Sequence, residues 1–403
     1  MNNSLKPYLR FKEFDDSWRE IQLGDIGSFK NGLNKGAEDF GFGVPFINLL
    51  DVFGKTEIDN PELKLVNASL RDIATYTVKK GDVFFIRSSV KRSGVGETVV
   101  ARRDLENTVY SGFLIRYRAT EQLNNNFKKY CFWTEGFRLL LVRFSTSSAN
   151  TNINQESLSQ LKLFIPKVDE QQKIADFLTV VDSKICQLTE KHRLLKEYKK
   201  GVMQQLFSQK IRFKDDDGNV FLDWEEKPLS KVLTEYRSKT TLENEHDVLT
   251  SSRNGLMMQS DYYSEGRITE RSNVGFHVIP HGYLTYRSRS DDRMFFFNLN
   301  ELGKTGIISH YYPVFSMNNG QNHFFVELTR YHSKIFGKYA VGTSQVVLSY
   351  NAFCAIILKF PCTQEQQKIA QFLQSIDKKV DAVALQIEQT KLFKKGLLQQ
   401  MFV

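Results

Sequence analysis

Pro166-Lys-Val-Asp-Glu170-Gln-Gln-Lys-Ile-Ala-Asp-Phe177-Leu178 and Pro361-Cys-Thr-Gln-Glu365-Gln-Gln-Lys-Ile-Ala-Gln-Phe372-Leu373 are nearly one stretch written twice. The match continues without a gap through Asp182/Asp377, Lys199-Lys-Gly201/Lys394-Lys-Gly396, Gln204-Gln205/Gln399-Gln400 and Phe207/Phe402, so a single displacement of 195 residues relates every pair. A duplication of this kind sets the architecture before any other feature is read.

Apolar residues in each copy recur at alternating spacings of four and three. They are Ile174, Leu178, Val181, Ile185, Leu188, Leu195, Val202 and Leu206 in the first copy. In the second they are Ile369, Leu373, Ile376, Val380, Val383, Ile387, Leu397 and Met401, with Thr390 in the place of Leu195. That is the seam of a coiled-coil helix, and each copy must bury it against a partner helix. Proline opens each stretch, where its fixed φ and missing donor do no harm. A helix of about 38 residues, rising about 1.5 Å per residue, extends on the order of 57 Å and works as a spacer as well as a core element. His192, Thr390 and the equivalent Lys199 and Lys394 put polar groups into the seam. They read as register-setting or part-exposed positions, the lysines laying their stems along the apolar surface while Tyr198 and Phe393 complete the stripe.

A chain of 403 residues is too long for one ordinary core and fits two domains plus the helices. Hydrophobic residues make up 41% and charged residues 25%, and no apolar run approaches the roughly 20 residues needed to cross a bilayer. The first residues contain no apolar stretch of a secretory signal, and the four cysteines form no Cys-x-x-Cys pair, which suits a reduced cytoplasmic protein. Net charge is +9, which favours a polyanionic partner, but the excess is spread thinly and no segment is basic overall. Local clusters must therefore carry any case for nucleic acid.

A weaker echo precedes each presumed domain. Arg10-Phe11-Lys12 leads to Trp18, and Arg212-Phe213-Lys214 leads to Trp224, so the unit written twice is an aromatic lead-in, a globular segment and a long helix. The resulting division is 1–165, a first domain; 166–208, a first helix; 209–360, a second domain; and 361–403, a second helix. Lys214-Asp-Asp-Asp-Gly218 reads as a turn, since its consecutive acids do not alternate as a calcium loop requires. Strand-like runs at Val44–Ile47, Asp82–Ile86, Gly96–Ala101, Gly112–Ile115 and Leu161–Ile165, with a helix over Asn126–Phe144, describe a mixed first domain. Gly282–Tyr286, Gly306–Ser309, Pro313–Phe315 and a run from Phe353 to Phe360 describe the second. Neither shows the regular strand-helix alternation of a doubly wound nucleotide fold.

The doubled Pro-x-x-x-Glu-Gln-Gln-Lys-Ile-Ala-x-Phe-Leu helix, each copy following about 150 residues of globular sequence and closing on Lys-Lys-Gly and Gln-Gln, resembles the specificity subunit of bacterial type I restriction-modification enzymes along the whole chain. The resemblance implies an α+β fold. Two mixed α/β target recognition domains would be separated by two long helices forming an antiparallel coiled coil, pseudo-twofold symmetric, with the domains at opposite ends and half-sites about one DNA turn, roughly 34 Å, apart. It implies double-stranded DNA as ligand, each domain reading one half of a bipartite, asymmetric target. The implied partners are two methyltransferase subunits using S-adenosylmethionine and restriction subunits using ATP and Mg2+ to translocate and cleave DNA, with no cofactor on this chain.

The residues themselves offer no catalytic centre. The place of the first P-loop glycine before Gly303-Lys304-Thr305 is taken by Asn298. Asn60-Pro61-Glu62-Leu63 lacks the second proline and aromatic of an adenine-methyltransferase motif, and Glu62-x-Lys64 is background in a lysine-rich chain. His277 and His281 are four apart, but Pro280 argues against the helix that would put them on one face.

DNA contacts are expected where arginine and lysine meet small polar residues in loops. In the first domain these are Arg87, Ser88, Ser89, Lys91 and Arg92, after the strand ending at Ile86, together with Asn150 and Asn152 of the loop 145–152. Arginine forks match guanine edges and phosphates, and hydroxyls and amides contact either. In the second domain the counterparts are Tyr286, Arg287, Arg289 and Arg293, with Ser344 and Gln345 matching the first domain's polar loop by position, and Arg253, Arg267 and Arg271 behind them. Asp291 and Asp292 could accept from a cytosine amino group or pair with the arginines. A coiled-coil adaptor with protein-binding globular ends is the alternative from another class.

Overall fold

A computed structural model describes residues 6–59, 62–120, 122–147, 150–262 and 272–403. The chain divides into two compact units, Met1–Thr189 with Leu385–Val403, and Glu190–Ala384. The repeated stretches form the helices Val168–Phe207 and Thr363–Gln400. Each unit therefore holds a globular domain, the first part of the helix that follows it and the last part of the other helix.

In the first unit a five-stranded sheet runs in the order Gly27–Asn31, Leu114–Ala119, Val83–Ile86, Thr98–Ala101 and Glu57–Ile58, antiparallel except for the last pair. Val83–Ile86 is buried on both faces: Val83 and Phe85 enter one core, Phe84 and Ile86 another. That double burial explains a strand without polar alternation. The second unit keeps a four-stranded version, Leu233–Glu235, Val314–Met317, Leu284–Tyr286 and Phe297–Leu299. Both domains close with the same device. Arg19–Gln22 pairs antiparallel with Lys162–Ile165, and Glu225–Pro228 with Ile357–Phe360, and each closing strand runs straight into the proline and the long helix.

Two segments differ from expectation because side-chain caps restart helices. The helix expected over Asn126–Phe144 is Lys128–Cys131 and Glu135–Phe144, divided where the Thr134 hydroxyl accepts from the Phe137 amide. The run Phe353–Phe360 begins in a helix, because Ser349 caps Tyr350–Cys354 before the strand starts at Ile357. The helix Asn322–Tyr331, buried in the second core, was not foreshadowed.

The repeated motif is legible atom by atom. In the first unit Glu170, 1% exposed, accepts from Arg10 Nε and Nη2 at 2.7 Å each and from Trp18 Nε1 at 3.4 Å. In the second Glu365 accepts from Arg212 at 3.1 and 2.8 Å and from Trp224 at 3.2 Å. The next residues, Gln171 and Gln366, donate to the carbonyls of Pro166 and Pro361. Phe177 meets Phe11 edge-on, as Phe372 meets Phe213. The aromatic lead-in is thus a clamp on the helix start, and the acid sits in the first turn, where the helix dipole favours negative charge.

The apolar seam is buried as the spacing predicts, from Ile174, Leu178 and Val181 to Leu397 and Met401 in the first core, and with Leu206, Ile369, Leu373, Ile376 and Val380 in the second. In each unit the start of one long helix packs with the end of the other, so they run antiparallel. Two expectations about its polar positions need correction. Tyr198 and Phe393 do not complete the stripe; they are 53% and 56% exposed. Nor do the lysines simply extend their stems. Lys394 Nζ lies 2.6 Å from Asp182, and its equivalent Lys199 lies 2.7 Å from Asp377. One repeated acid and one repeated lysine therefore form an ion pair in each unit, which single-helix periodicity cannot show.

Burial would raise the Asp182 carboxyl, but Lys394, Lys129 and the Tyr130 hydroxyl outweigh it and hold it below the ordinary aspartate range. Its stabilisation is therefore fully present above the unfolded value, near pH 3.9, and is lost as pH falls through the lower folded value. Asp182→Asn is expected to lower Tm at pH 7 by about 2–4 °C for each kcal/mol lost. The difference from the parent should shrink below roughly pH 4; an equal difference at pH 3 and pH 7 would contradict this.

Candidate nucleic-acid interface

In the first domain Val83–Ile86 emerges from the core at Arg87. Beyond it Ser88–Ser89 pairs antiparallel with Thr151–Asn152, which also pairs with Thr146–Ser147. The two polar loops singled out separately in the sequence are thus adjacent strands of one small sheet. Arg87, Lys91 and Arg92 are exposed, and their side chains have no hydrogen bond or ion pair among the described residues. Main-chain bonds fix their base: Arg87 N donates to Phe113 O at 2.8 Å and Ile153 N to Arg87 O at 2.9 Å. Arg138 staples the loop from beneath, donating to Ser93 O at 2.8 Å and Val95 O at 2.6 Å, and its burial lowers its own proton affinity. A Cβ on Gly94 would stand 2.5 Å from Ser89 Oγ, so a larger residue there would have to displace the Ser89 hydroxyl.

The second domain repeats this edge with other residues. Arg289–Ser290 pairs with Val346–Val347 as Ser88–Ser89 pairs with Thr151–Asn152, and Leu348 N donates to Ser288 O as Ile153 N does to Arg87 O. Arg287 is exposed and has no side-chain partner among the described residues, while the Arg289 guanidinium lies over the Tyr311 ring, 4.1 Å from its centre. These two arginines line both of two clefts. One, of about 320 Å³, also holds Arg253, Asp291 and Asp292; the other, of about 520 Å³, holds His310, Tyr311 and Gln345.

Asp291 and Asp292 are already engaged. Asp292 accepts from Ser290 Oγ, the Met294 amide and Arg253, which hold its carboxyl below the usual range, and Asp291 accepts from Gln345 at 3.0 Å. Arg293 donates to the carbonyls of Gly337 and Gly342. Ser344 and Gln345 are exposed beside the pair.

Tyr286 does not belong to this surface. It is fully buried, its hydroxyl donates to Leu348 O at 3.0 Å and its ring packs among Phe297, Phe315 and Phe353. Strand alternation turns Tyr286 inward where it turns Arg287 outward. Ser89 is also buried, and Asn152 donates to Asn150 O. Arg267 and Arg271, like Asn60 and Pro61, lie outside the described residues. His277 stands in a strand and bonds Tyr312 O through Nδ1, away from any helical metal pair. Among the described residues no three His, Cys, Asp or Glu side chains group as metal ligands, and no helix is long and apolar enough to cross a membrane.

The family model of the type I restriction modification DNA specificity domain matches residues 15–197 and again 206–390. The chain belongs to this family. Each matched stretch takes in one globular domain and most of the helix after it, which is the unit the duplication defines. A putative type I restriction enzyme MjaX specificity subunit of Methanocaldococcus jannaschii is 26% identical over 53% of this chain and 52% of its own length. The HindI specificity subunit of Haemophilus influenzae is 28% identical over 47% and 40%. The alignments thus span about half the length of these two relatives. The MjaVIII specificity subunit of M. jannaschii is 20% identical over 95% of this chain and 91% of its own. A crystal structure of a type I restriction-modification S subunit from M. genitalium covers 99% of both chains with a TM-score of 0.56 at 14% identity. A chain from a study of type I restriction-modification complex assembly and conformational transition covers 97% of this chain and 99% of its own, with a TM-score of 0.53 at 14% identity. Both share the fold of this family member.

Proposed function

We propose that this chain is the non-catalytic specificity subunit of a type I restriction-modification complex, each domain reading one half of a bipartite, asymmetric DNA target. The observation that carries the reading is the edge built twice, a short strand pair presenting exposed arginines, on domains that otherwise differ in sequence. Arg87, Ser88, Lys91, Arg92, Asn150 and Asn152 serve one half-site. Arg253, Arg287, Arg289, Arg293, Ser344 and Gln345 serve the other. Unequal residues at equivalent places predict unequal half-sites. Two methyltransferase subunits and the restriction subunits complete the assembly in the cytoplasm and bring S-adenosylmethionine, ATP and Mg2+; this chain supplies no cofactor site.

The test is co-expression with the cognate methyltransferase subunit and mapping of modified adenines across the genome. Arg87→Ala and Arg289→Ala are expected to relax different half-sites, each by about 1–3 kcal/mol at one base pair, on the order of tenfold or more in discrimination. Equal loss at both half-sites from either change would undo the assignment. Salt titration of DNA binding separates this reading from a protein adaptor, since phosphate contacts impose a steep dependence and an adaptor has no DNA binding to titrate.

A further inference from the structure

Phe113 and Tyr311 are the same position in the two domains. Arg87 N donates to Phe113 O, and the equivalent Ser288 N donates to Tyr311 O. Both residues lead into the strand that pairs beside Val83–Ile86 in one domain and Leu284–Tyr286 in the other. Both carry large rings with much of their surface exposed, 58% for Phe113 and 43% for Tyr311, the latter with the Arg289 guanidinium and the His310 ring against it. A large aromatic held in the open at one slot of two otherwise dissimilar domains is not required by either core. In each case it stands at the root of the strand that presents the arginines.

Resting on the proposed DNA reading, we infer that Phe113 and Tyr311 are base-contact residues, one per half-site, each meeting the apolar edge of a base pair through the thymine methyl group. The major-groove edge of a base pair offers hydrogen-bonding atoms to arginine and, at thymine, one apolar group that an aromatic ring can cover. The Phe113 side chain has no polar atom, so it contributes to sequence reading through an apolar contact and not through a hydrogen bond. Tyr311 adds a second task. Its ring carries the Arg289 guanidinium at 4.1 Å, which holds that fork in one plane before DNA arrives. Neither ring reads a half-site alone; each supplies an apolar contact beside arginines that supply the polar ones.

The experiment uses the full chain in complex with its methyltransferase subunit. The wild-type motif is mapped first, and duplexes are then made in which each thymine of the motif is replaced in turn by deoxyuridine, which removes only the methyl group. One replacement in one half-site is expected to weaken wild-type binding about tenfold, the scale of a single base-pair defect. Phe113→Ala should bind the normal duplex about tenfold more weakly and be indifferent to that replacement, while staying sensitive to replacements in the other half-site. Tyr311→Ala should show the converse pattern, and Tyr311→Phe, which keeps the ring, should behave as wild type. If Phe113→Ala and Tyr311→Ala respond to every thymine replacement as wild type does, while Arg87→Ala still relaxes its half-site, the inference is overturned and the DNA reading stands. If the wild-type complex yields no bipartite motif, the DNA reading itself fails.

Discussion

Removing Leu397–Val403, the last turns of the chain, is expected to unfold the first domain and leave the second folded. Leu397, Met401 and Phe402 are buried in the core that also holds Trp18, Phe127 and the sheet residues Val83 and Phe85. Phe402 stacks on Phe127 with ring centres 5.3 Å apart and meets Trp18 edge-on at 6.0 Å. Loss of a buried Leu or Met side chain costs about 2–5 kcal/mol and of a Phe about 3–5, so the three together cost roughly 7–15 kcal/mol. That equals the whole stability of an ordinary domain, about 5–15 kcal/mol. Hydrogen exchange on the truncated chain should show protection lost at Val83–Ile86 and kept at Leu284–Tyr286. Full protection of the first domain would contradict the arrangement. Phe207→Ala is the reciprocal control, because Phe207 packs against Trp224, Phe324 and Tyr331 of the second unit.

Glu170→Ala should be among the most destabilising single substitutions in the chain. The carboxylate is buried, takes both arms of the Arg10 fork and accepts from the Trp18 indole. Deleting one partner of such a pair leaves the other charge buried without compensation, a cost of about 3–5 kcal/mol. Thermal unfolding should place the loss in the first unit, and Glu365→Ala should place a smaller one in the second, where Trp224 loses its acceptor while Arg212 keeps Leu222 O at 2.6 Å and the exposed Asp223 at 3.5 Å. Replacing Arg10 and Glu170 together by Met and Leu should recover much of the stability, since a well-packed apolar pair can equal a buried ion pair. A double variant as unstable as Glu170→Ala would show that the pair does more than satisfy its own charges.

The duplicated helix, its seam and the two-domain division are legible in the chain because they are periodic and local. Spacing along one helix decides which face is apolar, and a displacement of 195 residues is visible in any alignment of the chain with itself. Residue type and loop context likewise pointed to Arg87 and Arg287. Tyr286 could not be separated from its neighbour in that way, because the face a strand residue takes depends on which side of the sheet the core lies, and that is decided by other segments.

What tertiary structure alone decided is who meets whom. The Arg-Phe and Trp echoes at Arg10 and Trp18 were visible, yet their purpose depends on Glu170, some 150 residues further along, brought to them by the closing strand pair. The Lys394–Asp182 and Lys199–Asp377 pairs require two helices placed side by side in opposite directions, and the position shared by Phe113 and Tyr311 emerges only from sheet register. Periodicity states that a face must be buried; it carries no information about the partner, because the hydrophobic effect that drives burial is non-directional and any sufficient apolar surface would satisfy it.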